Sequence, residues 1–177
     1  NAKISETTKG AVWEGVKFGA KQGLKEGLVG GAIAGPVAVL VLASIPSLIS
    51  QGKIKPFELI GPKTLAVAAV AGAAYGAYHC VVERAVDGGS SAVLIKASEK
   101  QAAKKGTDAD AKISKNAQIA GAVLGGAGGI YKGIGFAKGV ASPYAKAAIV
   151  AGSFGLGAFA GAVGTERFVV KVNNAIK

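Results

Sequence analysis

The sequence is poor in the residues that build reactive sites. It has one histidine, His79, and one cysteine, Cys80, so no histidine pair can hold a metal or relay a proton and no internal disulfide can form. His79 therefore reads as a packed or interface residue, and Cys80 as a small buried side chain. Charge is scarce as well, at 18% of the chain, and it is segregated. From Glu26 to Lys53, Lys63 to Glu83, Lys115 to Lys132 and Lys146 to Glu166, the intervening 26, 19, 16 and 19 residues contain no Asp, Glu, Lys or Arg. With no acid inside these stretches, nothing resembles the intramembrane carboxylate of an ion pump. A phosphate-binding loop is also missing. The glycines from Gly125 to Gly129 lack the preceding strand and the following Lys-Ser/Thr that such a loop needs.

What the chain has in quantity is apolar and small. Half of its residues are hydrophobic and 28 are glycine, too few polar groups to cover a globular surface. A helix rises ~1.5 Å per residue and a hydrocarbon core is ~30 Å thick, so about 20 apolar residues cross it. Three uncharged stretches meet that length and the third in order approaches it. Four buried soluble helices would leave no polar face for water. The expected fold is an all-α membrane protein, with four transmembrane helices forming a single domain over residues 1–177. The spans are expected near 27–46, 63–83, 116–134 and 146–165, after an amphipathic lead-in over 8–26 and around a central hydrophilic connection over 85–115.

The net charge of +11 resides in Lys and Arg between the spans, without aromatic interleaving or a nucleic-acid-binding motif. Membrane lipids rather than nucleic acid are the expected partner of those charges. The chain begins with Asn1 rather than Met, which leaves a trimmed or processed start open, and no secretory-signal pattern is present.

Small residues recur every fourth position. The first ladder runs through Gly15, Gly19, Gly23, Gly27, Gly31 and Gly35, with Lys17, Lys21 and Lys25 on the opposite face. Thr64, Ala68, Gly72, Gly76 and Cys80 form the second. Ala117, Gly121, Gly125, Gly129 and Gly133 form the third, and Ser153, Gly157, Gly161 and Thr165 the fourth. Lipid tails are as apolar as Leu, so helices in a bilayer associate by close packing, which bare stripes permit. A four-residue step advances ~400°, so a stripe drifts ~40° per step. From Gly15 to Gly35 that drift predicts two successive partners for the first helix.

Local signals set the boundaries. Ser5 or Thr8 can cap the first helix, Pro36 should kink it, and Ser44 to Pro46 should end or bend it. Pro56 marks the first connection and Pro62 suits the first turn of helix two, which should end near Arg84. Gly88 and Gly89 predict a break before a surface helix over 91–105. Thr107 to Asp110 resembles a capping box, and Ser142-Pro143 a cap followed by Pro.

Val82-Glu83-Arg84-Ala85-Val86-Asp87, followed by Asn116-Ala117-Gln118-Ile119-Ala120-Gly121 and then Gly125-Gly126, resembles the Tim superfamily of mitochondrial inner-membrane proteins. Within it, the run from Ala68 to Cys80 and the run from Gly121 to Gly129 are most similar to the four-helix membrane accessory subunit of respiratory complex I. The segment between Asp87 and Asn116 is longer than the family's usual spacing, and the helical lead-in before residue 26 is also unusual for it. The resemblance implies a non-catalytic, cofactor-free subunit of NADH:ubiquinone oxidoreductase, multi-pass in the mitochondrial inner membrane, that braces the membrane arm. Other complex I membrane subunits, membrane lipids including cardiolipin, and neighbouring respiratory complexes are the implied partners. A protein-import or solute translocase subunit of the same superfamily is the alternative. Arg84, Asp87, Asn116, Lys132 and Lys138 are the candidate polar or lipid contacts. The termini and central connection carry 15 Lys and Arg against six in the other two connections, which by raw count places the termini inside. The family resemblance instead implies termini in the intermembrane space.

Overall fold

The computed structural model describes residues 8–45, 49–52, 55 and 60–177, and among these there is no strand. Four long helices account for most of them: α1 (Thr8–Ala43), α2 (Pro62–Lys105), α3 (Ala109–Ala137) and α4 (Pro143–Ile176). All four are long and apolar enough to cross a membrane. At ~1.5 Å per residue they run from about 44 to about 66 Å, so each exceeds a ~30 Å hydrocarbon core by several turns.

The ends of the helices follow from local chemistry. α1 passes through Pro36 without interruption and stops at Ala43, where the Ser44 hydroxyl donates to the Leu40 carbonyl at 2.7 Å. Ser5, Pro46 and Pro56 lie outside the described residues. α2 opens on Pro62 as its sequence predicts, because the first turn needs no amide hydrogen from that position. It closes at Gly106, whose φ of 62° is the left-handed conformation that glycine adopts without a Cβ penalty. The Thr107 amide then donates back to the Ala102 carbonyl at 3.1 Å. Ser142 caps α4 as expected, accepting from the Ala145 amide, with Pro143 at the first position.

Two boundary expectations are corrected. Gly88 and Gly89 do not break the chain, since α2 is one helix of 44 residues. Two glycines cost ~2 kcal/mol of helix propensity. Both are buried, and an interruption there would strand up to four amides and four carbonyls away from water. The cap of α3 is Asp108, one residue later than a capping box on Thr107 requires. Its carboxylate accepts from the amides of Asp110 at 3.1 Å and Ala111 at 3.4 Å.

By compactness the chain forms two units. One comprises residues 16–88, the other 89–177 together with the start of the chain through Gly15. In the first, α1 is antiparallel to the early part of α2, and small residues occupy the buried positions Gly19, Gly23, Gly27 and Gly31. Lys17, Lys21 and Lys25 are exposed. The second unit contains a conventional aliphatic core. Ile95 of α2, Ile113 of α3, and Val169, Val172 and Ile176 of α4 are buried there, alongside Ala11 of α1. Elsewhere on α3 and α4 large apolar side chains face outward, among them Val123, Leu124, Leu156 and Phe159.

Candidate functional site

Facing backbones stand at the glycine ladders. A Cβ built on Gly19 would meet the Arg84 carbonyl, and one on Gly23 the Cys80 carbonyl. The same holds for Gly27 at Gly76, Gly31 at Gly72 and Gly35 at Ala68. Each step of four forward on α1 is a step of four back on α2, so one antiparallel register holds over five positions. The second unit repeats the device. Gly121 faces Gly161, Gly125 faces Gly157 and Gly129 faces Ser153, again at four-residue steps in opposite directions.

The hydrogen that stands where a Cβ would be points at the opposing carbonyl in each case. This is the geometry of a Cα–H···O contact, worth ~0.5–1 kcal/mol. The contacts are reciprocal at Gly31/Gly72, Gly27/Gly76, Gly121/Gly161 and Gly125/Gly157. From Gly19 through Gly35 the ladder of α1 keeps a single partner, α2. A stripe of period 4.0 keeps facing its partner only when the two helices wrap around each other, and a period above 3.6 gives a right-handed wrap. Gly15 is buried in the other unit. Not every glycine is crowded: a Cβ on Gly128, Gly152, Gly155 or Gly164 would meet nothing within 4 Å.

Polar pairs lie at the ends of both ladders. Arg84 of α2 donates through Nε to Glu26 of α1 at 2.9 Å, its Nη2 lies 2.8 Å from the same carboxylate, and Asp87 stands 3.6 Å from Nη1. The backbone of Arg84 sits opposite Gly19, two turns from Glu26. Side chains lean toward the N-terminus of their own helix, so in an antiparallel pair Arg84 and Glu26 lean toward each other. Gln22 donates to Glu26 at 2.9 Å from the same face of α1.

In the second unit Asn116 donates to the Ser98 hydroxyl at 2.9 Å and to Gln101 at 3.4 Å, tying α3 to α2. Glu166 of α4 accepts from Ser114 and, at 2.8 Å, from Gln118. Asp110, in the first turn of α3 before the apolar span, accepts from Asn173 at 3.1 Å and pairs with Lys177. The Lys177 hydrogen bond, then that from Asn173, holds the Asp110 carboxyl below its ordinary pKa.

Of the residues singled out in the sequence, Arg84 and Asp87 come together, with Glu26 between the helices as the partner that the sequence reading used only as a span boundary. Asn116 joins a different cluster, and Lys132 and Lys138 line a groove on the last turns of α3. Ser114 carries no signal in the sequence, Glu166 stood there only as a span boundary and Asp110 only as the end of a capping box. The available signal was position: Glu26 and Glu166 border apolar stretches, and Arg84 directly follows Glu83, the border of another. Among the described residues no three His, Cys, Asp or Glu side chains come together in a way that could hold a metal ion.

Length, hydropathy and helix content define a multi-pass helical membrane protein. No protein-family model matches the chain, and no curated protein or solved structure matches it.

Proposed function

We propose that the chain is a non-catalytic structural accessory subunit of mitochondrial NADH:ubiquinone oxidoreductase, stabilising its membrane arm from within the inner membrane. One observation carries the structural role. In both helix pairs bare backbone faces bare backbone at a constant four-residue register, while large apolar side chains such as Leu124 and Phe159 are left uncovered on the outside. In lipid, close backbone approach supplies dispersion and Cα–H···O contacts that a hydrophobic driving force cannot. On this reading the four helices pack through the glycine ladders, and their outer faces meet lipid and neighbouring subunits.

The uncharged interior of the spans supports bracing rather than proton transfer. The complex I assignment comes from the runs at residues 68–80 and 121–129, whose resemblance to the accessory subunit supports it, within the wider superfamily likeness of residues 82–87 and 116–126. Native gel electrophoresis of detergent-solubilised membranes tests the proposal. The chain is expected to comigrate with NADH dehydrogenase activity, and migration as a separate small complex would refute the assignment.

A further inference from the structure

We propose that the tip of the α3–α4 hairpin is a binding surface for the headgroups of anionic phospholipids. It carries Lys132 and Lys138 at the end of α3 and Lys146 in the first turn of α4, all exposed and none in an ion pair among the described residues. The chain holds no Asp or Glu between Asp110 and Glu166. Along their helices those two acids lie about 30 Å from the nearest of the three lysines, several times the ~10 Å screening length. Among the described residues of this unit no acid supplies a counter-charge at this end, which leaves the three lysines open to a charge from outside. The two helix ends contribute opposed dipoles, a carboxyl end of α3 beside an amino end of α4, so the positive field here is that of the lysines.

What fixes the ligand as lipid is the company of the lysines. Tyr131, Phe136 and Tyr144 are 82%, 73% and 88% exposed, in the positions where aromatic rings mark the level of the headgroups. A groove of about 410 Å³ runs among Tyr131, Lys132, Ile134, Gly135, Phe136 and Lys138. Its walls are apolar and its rim is cationic, which matches a phosphodiester above a glycerol and acyl stem. A tight turn holds the tip, with the Val140 amide donating to the Ala137 carbonyl at 3.1 Å. The surface rests on the membrane reading of the chain but not on its assignment to a particular complex.

The test uses the full chain in phosphatidylcholine vesicles with and without phosphatidylglycerol, measuring insertion by flotation and retained lipid by native mass spectrometry. A lysine near an anionic surface contributes roughly fivefold, so the three together give a preference for phosphatidylglycerol on the order of 100-fold. Lys132→Gln, Lys138→Gln and Lys146→Gln in combination are expected to abolish it. Lys100→Gln, Lys104→Gln and Lys105→Gln, removing equal charge from the end of α2, are expected to leave it unchanged. Inorganic phosphate at matched ionic strength should not displace the bound lipid. Insertion without a lipid preference, an equal loss in the two triple variants, or displacement by phosphate would each overturn the surface alone. Failure to insert into neutral vesicles would overturn the membrane reading and this surface with it.

Discussion

Adding one methyl group to α3 distinguishes a packing glycine from an incidental one, and positions 125 and 128 supply the pair. A Cβ on Gly125 would collide with the Gly157 carbonyl and lie 2.9 Å from the Gly161 Cα, whereas one on Gly128, three residues away, meets nothing within 4 Å. Carbon and oxygen approach comfortably at roughly 3.3 Å, so Gly125→Ala must move α3 and α4 apart by about 1 Å. A gap of that size forfeits up to half of each affected dispersion contact. Overpacking of this kind costs ~1–3 kcal/mol. The propensity gain of ~1 kcal/mol for Gly→Ala does not offset it, because the separated helices in a micelle or bilayer gain it equally. Helix pairing is expected to weaken by ~1–3 kcal/mol in Gly125→Ala and to be unaffected within ~0.5 kcal/mol in Gly128→Ala. Reversible unfolding of the purified protein in mixed micelles, titrated with a denaturing detergent and followed by proximity labels on α3 and α4, measures the difference. Equal midpoints for the two variants would refute the idea that glycine crowding holds this pair together.

Two further outcomes follow from the polar ends. Arg84→Gln and Glu26→Gln should each weaken the α1–α2 pair by up to ~1 kcal/mol, since both groups are partly exposed. The double variant should cost little more than either one, and a double-mutant cycle with no coupling would show that the ion pair is incidental. For Asp110 the sign is that of a depressed acid. Its folded pKa lies below the unfolded value, so its stabilisation is complete above ordinary carboxylate pKa values and is lost as pH falls through the folded value. Acid titration of the α3–α4 contact, read by a label near Lys177, should flatten at its acid end in Asp110→Asn. An unchanged acid limb would count against the contact with Lys177 and Asn173.

The elements were legible where one chemical feature decides the outcome. Uncharged stretches of span length marked all four helices, and Pro62 and Ser142-Pro143 marked two starts, because a missing amide hydrogen and a capping hydroxyl act within a single turn. Gly88 and Gly89 misled because propensity is a local quantity while their burial is tertiary. The same holds for the α1 ladder. A straight-helix calculation disperses Gly19 to Gly35 around the axis, and only a partner that wraps with them keeps all five against α2. Registers between helices depend on which side chains must interlock, and bare stripes contain none, so nothing in the four-residue spacing selected Gly31 opposite Gly72 over a slide of one step. The Glu26–Arg84 pair was hidden for a related reason. It joins residues 58 positions apart whose meeting depends on that register.

A seam made of glycine has no χ angles to freeze. Docking two Leu-faced helices would confine a rotamer at every contact, at ~0.5–1 kcal/mol each, whereas Gly31 against Gly72 confines none. Weak carbonyl contacts can thus suffice where greasy surfaces have no water to flee. The cost of that economy is a lack of slack: no natural amino acid is smaller than glycine, so every substitution of a seam glycine enlarges it.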